Sequence, residues 1–220
     1  MNKLSPTPVT LMNLLDKTFL DQNGVPVAKP AAAYKAVPSI LLKIWGCQRG
    51  VYQFITTEMV DYWVREQIGD LSAIEICAGY GTLGRALGIP VTDVKLQDNP
   101  VVRAHYLDIK HGCINYPADV EELEALEAIK KYKPKVVMGC YITQYSDHEI
   151  PGIPSSPFGP KEWEFFNEGV EKYIVFGNTI AHSGKQVYGF PHEELCFDWL
   201  LNKGEDQANN RVWVFDKNKF

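Results

Sequence analysis

The stretch Glu75-Ile-Cys-Ala-Gly79-Tyr-Gly81-Thr-Leu-Gly84 decides the fold that this sequence predicts. It opens inside a short apolar run, residues 73–78, which is typical of a buried strand. A helix is predicted directly after the glycines, over residues 82–87. Glycine lets a backbone pass close to a ligand because no Cβ blocks the approach, and a helix start presents unpaired N–H groups. The stretch therefore predicts a strand, a ligand-binding turn and a helix.

The pattern on both sides of this turn alternates between helix and strand. Helices are predicted over residues 56–68, 82–87, 121–132, 161–173 and 193–201, and strands over 73–78, 91–96, 135–140, 173–177 and 211–215. Such alternation predicts an α/β fold, with a mostly parallel sheet covered by helices on both faces. The last strand is expected to run antiparallel at or near the edge.

The N-terminal part differs in character from the rest. It is rich in proline and alanine, with one short amphipathic helical pattern between Leu11 and Leu20. We interpret residues 1–54 as a helical cap and residues 55–220 as the Rossmann-like domain. The first ten residues lack the apolar core of a secretory signal, and no stretch approaches the ~20 apolar residues that span a membrane. A cytoplasmic location is therefore expected.

Charge and metal-ligand spacing exclude several classes of function. The net charge is −5 and no long run of Lys or Arg is present, which argues against duplex nucleic acid as a partner. The five cysteines contain no C-x-x-C pair, and the histidines contain no H-x-x-x-H pair. Neither a disulfide framework nor a metal site is expected.

The glycines of the turn match G-x-G-x-x-G, the dinucleotide fingerprint, but Glu75 argues against that interpretation. A dinucleotide places its pyrophosphate at this turn, where an acid repels it. A carboxylate at this strand end instead suits a ligand with a cationic group. The alternative is that Glu75 is simply a half-buried acid whose partner is a backbone group or an arginine.

An acid after the second strand would accept hydrogen bonds from ribose hydroxyls. Asp98 lies 17 residues beyond Gly81, where a strand-helix-strand unit predicts such an acid. Asp93 is its competitor, although the pattern places Asp93 within the strand. Asp98 also opens an Asp-Asn-Pro sequence, so a turn residue is the alternative interpretation.

Glu75–Gly84 together with Asp98 resembles the first motifs of the class I S-adenosylmethionine-dependent methyltransferases, over about residues 55–180. The resemblance implies a seven-stranded, mostly parallel sheet and S-adenosylmethionine as cofactor. It also implies that Glu124 contacts the adenine amine, with Asp119 as a rival. The expected cofactor-binding residues are Glu75, Ala78, Gly79, Tyr80, Gly81, Asp98, Asn99, Glu124, Cys140 and Tyr141. For Cys140 and Tyr141, which are expected to line the cofactor or substrate pocket, core packing at a strand end is the alternative.

The end of the fourth strand, Gly139-Cys-Tyr-Ile-Thr143, lacks the Asn/Asp-Pro-Pro-aromatic motif of enzymes that methylate base amines. It also lacks the Pro-Cys of cytosine C5 enzymes. The expected function is methyl transfer to a small-molecule or protein acceptor. The alternatives are a non-catalytic S-adenosylmethionine-binding sensor or partner subunit, and a nicotinamide-dependent oxidoreductase.

No catalytic base can be assigned from the sequence. His148 and His182 follow strands at the predicted site edge and are candidates, although loop histidines of this kind more often serve structure. The proline-rich loop 149–160 is expected to cover the site as a lid. Trp45, Tyr52 and Phe54 are candidates for the opposite wall.

Overall fold

The computed structural model describes residues 8–147, 155–204 and 206–219. The strands are β1 Gln53–Phe54, β2 Ala73–Glu75, β3 Thr92–Asp93, β4 Glu121–Glu122, β5 Val136–Cys140, β6 Gln144–Tyr145, β7 Ser155–Ser156, β8 Lys172–Asn178, β9 Glu193–Leu195, β10 Leu201–Asn202 and β11 Asn210–Asp216. The α-helices are α1 Pro8–Phe19, α2 Ala31–Lys35, α3 Ser39–Arg49, α4 Arg65–Ile68, α5 Thr82–Leu87, α6 Pro100–Asp108 and α7 Ala125–Tyr132. A π-helical segment, Met59–Val64, runs directly into α4, and 3₁₀ turns occupy Leu96–Asp98, Glu162–Glu168, Gln186–Gly189, Gln207–Asn209 and Lys217–Lys219.

A five-stranded mixed sheet forms the centre, in the order β2-β5-β8-β11-β9. The first three strands are parallel, with Ala73 opposite Val136 and Val136 opposite Lys172. β11 is antiparallel to β8, and β9 is antiparallel to β11. The predicted antiparallel last strand is therefore confirmed, and it lies one strand from the edge. The α/β class is confirmed as well.

The predicted seven-stranded, mostly parallel sheet is wrong, because the continuous ladder has five strands and two antiparallel pairings. β3 and β4 form a separate parallel ribbon of two residues each. The ribbon lies beside β2 through one parallel bridge between Glu75 and Val91, and the Ala78 N–H donates to the Thr92 carbonyl. Pro90 precedes the ribbon and has no N–H to donate, and Lys95 turns away in the left-handed region. Both features keep β3 short.

Two α-helices that the apolar periodicity predicts do not form. Contacts with other parts of the fold override the local sequence pattern in these regions. Residues 193–201 contain β9 in place of a helix, since Glu193 pairs with Val214 of the neighbouring strand. Residues 161–173 form a 3₁₀ turn that ends before Gly169 at φ 90°, and β8 starts soon after. By contrast, α5 has the predicted bounds.

The helix predicted over residues 121–132 begins later, at Ala125. Its first predicted residues belong to β4, where Glu121 pairs with Thr92. Glu124 is the N-cap of α7, and its side chain accepts hydrogen bonds from the N–H groups of Leu126 and Glu127. The glutamates of residues 121–124 are therefore divided between β4 and the N-cap of α7, although the helical pattern of the sequence continues through them.

The central sheet separates two apolar cores, because successive side chains of β8 point to opposite faces. Tyr173 and Val175 pack on one face with α7, whereas Ile174 and Phe176 pack on the other with the π-helical segment. The helices α1–α3 pack around a third cluster, in which Phe19 stacks on Tyr34 at 4.5 Å between ring centroids. Within the described ranges, no helix has the length and apolar character needed to cross a membrane.

Candidate functional site

A cavity of about 630 Å³ opens at the carboxyl ends of β2, β3 and β5. Ligands in open α/β sheets bind at this end of the strands, and small-molecule pockets have volumes of this order. Its floor is the turn between β2 and α5, where Ala78, Gly79 and Tyr80 line it. Tyr80 is held in place because its hydroxyl donates to the Arg49 carbonyl at 2.8 Å.

The turn requires glycine at two positions. Gly79 and Gly81 have φ values of 55° and 67°, in the left-handed region that L side chains rarely adopt. A Cβ on Gly81 would lie 3.2 Å from Val120 and 3.3 Å from Val91, so close packing adds to the backbone requirement. Gly79 lines the cavity, whereas Gly81 does not and is the N-cap of α5. The two glycines therefore shape the floor of the cavity without side chains.

Glu75 is buried at the end of β2 and is 2% exposed. Its Oε2 accepts a hydrogen bond from the Gly84 N–H at 2.7 Å, so it pairs with one of the unpaired donors at the start of α5. Burial raises the pKa of this carboxyl to about 8, although the Gly84 hydrogen bond and Arg85 oppose the shift. Glu75 thus has a backbone partner, which agrees with the alternative interpretation of a half-buried acid bonded to a backbone group. It also lines the cavity.

Asp93 is the last residue of β3 and holds the glycine turn from the side. Its Oδ2 accepts from the Gly79 N–H at 2.9 Å, and its Oδ1 accepts from the Lys95 N–H at 2.7 Å. Burial raises the pKa of Asp93, against the hydrogen bonds that lower it. Asp93 therefore occupies the strand end that the sequence assigned to Asp98, because β3 ends earlier than the apolar pattern indicates.

Asp98, Asn99 and Glu124 do not reach this cavity. They line a second one of about 700 Å³, which shares Val94, Leu96, Phe158 and Gly159 with the first. Asn99 is the N-cap of α6 and Glu124 the N-cap of α7, so both side chains already bond helix N–H groups. Asp119, the rival of Glu124, pairs with Arg85 at 2.7 Å and lines neither cavity.

Cys140 and Tyr141 lie at the end of β5 and line the first cavity. Tyr141 has a φ of 58°, an uncommon conformation for a side chain of this size. Its ring meets His182 edge-on at 4.9 Å between centroids and Tyr52 at 5.9 Å. Burial raises the pKa of the Cys140 thiol well above its ordinary value, so this cysteine is a poor nucleophile.

His182 is buried against the same strand end. Its Nδ1 accepts from the Asn178 N–H at 3.0 Å, and the ring also bonds the backbone of Tyr141. Burial and Lys185 lower its pKa to about 4. The imidazole is therefore neutral and tied to the backbone, which makes it a weak candidate for a general base. His148, the other candidate, lies outside the described residues.

The predicted aromatic wall divides between the cavity and the core. Tyr52 lines the cavity, whereas Trp45 and Phe54 are 1% exposed and belong to the N-terminal cluster. Half of the loop that was predicted to be a lid, residues 149–154, lies outside the described residues. Of the described part, Phe158 and Gly159 line both cavities.

Sequence reasoning did not find Tyr106, Tyr116 or Lys203 on the cavity wall. Lys203 follows β10, which comes close only because Asn202 pairs with Gln53 of β1. These strands have two residues each and give no periodic signal. Gln53 lines the cavity too, and in the described part of the chain its buried Oε1 has no hydrogen-bond partner. Among those same residues, no three His, Cys, Asp or Glu side chains are grouped to hold a metal ion.

Comparison with known proteins finds only distant likeness. No protein-family model matches the sequence, and no curated protein shows significant similarity. SMU.776, a protein assigned as a methyltransferase and crystallised with SAH, aligns over 71% of this chain with 11% identity and a TM-score of 0.36. The match covers 49% of SMU.776, so this chain spans about half its length. The hMettl16 catalytic domain, solved with the MAT2A 3'UTR hairpin 6, aligns over 96% of this chain and 82% of its own, with 14% identity and a TM-score of 0.33.

Proposed function

We propose that this chain is an S-adenosylmethionine-dependent methyltransferase that binds its cofactor in the first cavity, over the glycine turn. The observation that carries the proposal is the pair of buried acids that line the cavity, Glu75 and Asp93, of which Asp93 accepts from the Gly79 N–H. A dinucleotide would set a doubly charged pyrophosphate beside these acids, whereas S-adenosylmethionine brings a cationic amino group and a sulfonium. The acids therefore favour the cationic ligand.

The order of the strands supports the same cofactor site. With the β3–β4 ribbon placed beside β2, the five parallel strands run in space as β4, β3, β2, β5, β8. If these five strands are numbered by their order along the chain, their order in space is 3-2-1-4-5, which is the order of doubly wound nucleotide-binding folds. The switch point of that order lies between β2 and β5, where Glu75 and Cys140 border the cavity. Ligands in such folds bind at this point.

Each acid receives a different role in the proposal. Glu75 faces the amino group of the methionine part, whose positive charge would lower the raised pKa of this carboxyl. Asp93 accepts from the ribose hydroxyls, in the role that the sequence gave to Asp98. It ends β3 beside the turn, and its two carboxylate oxygens can accept more than the hydrogen bonds from Gly79, Lys95 and the Tyr116 hydroxyl. Asp98 and Glu124, on the second cavity, stay outside this contact.

Bound S-adenosylmethionine supplies an electrophilic methyl group, so the protein's work is to position the acceptor and exclude water. Tyr141 and Cys140 border the place where an acceptor would approach, at the end of β5. The neutral, backbone-bound His182 and the protonated Cys140 thiol leave the acceptor to provide its own nucleophile. A covalent enzyme intermediate is therefore not part of the proposal.

Calorimetric titration tests the cofactor. We expect S-adenosylmethionine and S-adenosylhomocysteine to bind the wild type, NADH to give no heat, and Glu75→Ala to weaken both by about 30-fold. The exposed Glu66→Ala on α4 is the matched control and should bind like wild type. Binding of NADH alone, or of none of the three, would overturn the proposal. Cofactor binding without methyl transfer to any small-molecule or protein acceptor would overturn its catalytic part.

A further inference from the structure

The first cavity is lined by ionisable side chains of both signs, carried by different elements of the fold. Glu75 and Asp93 lie on the side of the glycine turn, whereas Lys203 follows β10 on the side of the N-terminal helices. Lys203 is the one cation among the described residues that line the cavity. A cofactor held by the two acids therefore leaves a cationic wall for the second substrate.

The Lys203 ammonium is held in a fixed place by an aromatic ring. Its Nζ lies 3.8 Å from the ring centroid of Tyr52, and its backbone N–H donates to the Tyr52 carbonyl. A cation over the face of an aromatic ring is attracted to it while its remaining donors stay available. Among the described residues, no carboxylate pairs with Lys203.

Lys203 is half-buried in the cavity wall. Burial lowers the pKa of Lys203, as expected for a cation partly removed from water, and Lys43 lowers it further, whereas Cys47 opposes the shift. The pKa of His111 is lowered by burial and, to a smaller extent, by Lys203. A negatively charged ligand would relieve this situation, because it replaces lost water with a charge-assisted hydrogen bond.

The wall next to Lys203 is aromatic. Tyr52 and Tyr106 bond each other, and Tyr141 lies 5.9 Å from Tyr52 between ring centroids. Phe158 lines the cavity from the other side. These rings offer apolar faces and edges to the body of a ligand, and their hydroxyls offer polar contacts at its rim.

We propose that Lys203, over Tyr52, is the anchor of an acceptor subsite for small anionic molecules in which a carboxylate or phosphate is attached to an aromatic body. This inference rests on the proposed function, since it places the acceptor beside the cofactor site. The acceptor's nucleophilic atom forms a bond to the methyl carbon while the carbon–sulfur bond breaks and its electron pair stays on sulfur. The proton that the acceptor loses passes to water.

Matched charged and neutral probes test the subsite. Benzoate and benzamide have nearly the same shape, and only benzoate carries the charge. Each is titrated calorimetrically into the protein saturated with S-adenosylhomocysteine. We expect benzoate to bind at least about tenfold more tightly than benzamide, and Lys203→Met to remove that preference. Lys203→Arg should retain most of it, and the exposed Lys17→Met on α1 should behave as wild type.

Equal binding of the two probes to wild type, or binding of neither, would overturn the acceptor subsite. An equal loss of S-adenosylhomocysteine affinity in Lys203→Met would also overturn it, because Lys203 would then hold the cofactor. The same titrations in protein without S-adenosylhomocysteine separate the two proposals. A Lys203-dependent preference for benzoate together with absent cofactor binding would refute the methyltransferase proposal and keep the anion site.

Discussion

The side chains around the two neighbouring cavities differ in burial and in their hydrogen bonds. Around the first cavity, Glu75 and Asp93 are buried, and burial raises the pKa of both. Around the second, Glu124 and Asn99 use their side chains to cap helices, and Asp98 is exposed. Capping side chains are stabilised by the helix that they begin, whereas buried carboxylates destabilise the free protein. Perturbed acids of this kind concentrate at functional sites, so the contrast favours the first cavity as the cofactor site.

The largest effect should be the pH dependence that Glu75 imposes on stability. The folded-state pKa of about 8 lies above the ordinary glutamate value of 4.5, so the folded protein binds more protons than the unfolded chain between these values. Stability therefore falls as pH rises from about 5 to 8. Glu75→Gln keeps an acceptor for the Gly84 N–H and has no charge to bury. Relative to wild type, the variant should gain on the order of 3 kcal/mol between pH 5 and 8.

Urea unfolding of wild type and Glu75→Gln at several pH values measures that difference. Asp93 and the other acids are present in both proteins, so the difference between the two curves isolates Glu75. Glu124→Gln, which replaces an acid of the second cavity, is measured in parallel as the matched control. Parallel curves for wild type and Glu75→Gln would mean that Glu75 ionises as easily as an exposed acid, and the contrast between the cavities would disappear.

The next largest effect should separate Asp93 from Asp98 in cofactor binding. Asp93→Asn removes the charge that accepts from the ribose hydroxyls, and we expect the affinity for S-adenosylhomocysteine to fall about 30- to 100-fold. Asp98→Asn should change it by less than about threefold, since this residue lies on the second cavity. Calorimetry below the melting temperature of each variant measures both. A reversed order would return the ribose role to Asp98.

Much of the fold could be predicted from the sequence, because α5 and the parallel core strands have strong local patterns. The predicted bounds of α5 agree with the structure. Gly81 and Gly88, which flank the helix, both have positive φ, and their positions in the sequence mark its two ends. The strand β9 could not be found, because its Glu-Glu-Leu sequence forms a strand only by pairing with β11. The second strand was predicted too long, since the left-handed turn at Lys95 has no glycine to mark it.

Two boundary errors, at the end of β3 and at the start of α7, explain why Asp98 and Glu124 lie away from the first cavity. Extending the second strand to residue 96 put Asp98 at its end, although the strand ends at Asp93. Extending the following helix back to Glu121 left no sign that Glu124 is a cap. Residues fixed by the glycine turn itself, such as Glu75 and Gly79, were placed on the cavity as expected. Spacing from a glycine motif is thus reliable only as far as the next unmarked turn.

A smaller effect should follow from filling the space beside Glu75. A Cβ on Gly84 would lie 2.3 Å from Val91 Cγ1 and 3.0 Å from the Glu75 carboxylate, so Gly84→Ala must move the ribbon or the acid. We expect a loss of about 2 kcal/mol in the free energy of unfolding. Gly189→Ala is the control, because nothing lies within 4 Å of its added Cβ. Equal stability of the two variants would show that the packing of β3 on β2 is loose.

The smallest effect should come from the cap at the second cavity. Glu124 Oε2 accepts from the Leu126 N–H at 2.7 Å and from the Glu127 N–H at 3.3 Å, so Glu124→Ala leaves two donors at the start of α7 without this partner. Loss of an N-cap costs about 1 kcal/mol, and urea unfolding should show a decrease of that size. Affinity for S-adenosylhomocysteine should stay within about twofold of wild type. A tenfold or larger loss would instead place the adenine contact on Glu124 and join the two cavities into one site, because a pure cap changes stability without changing the contacts of a bound cofactor.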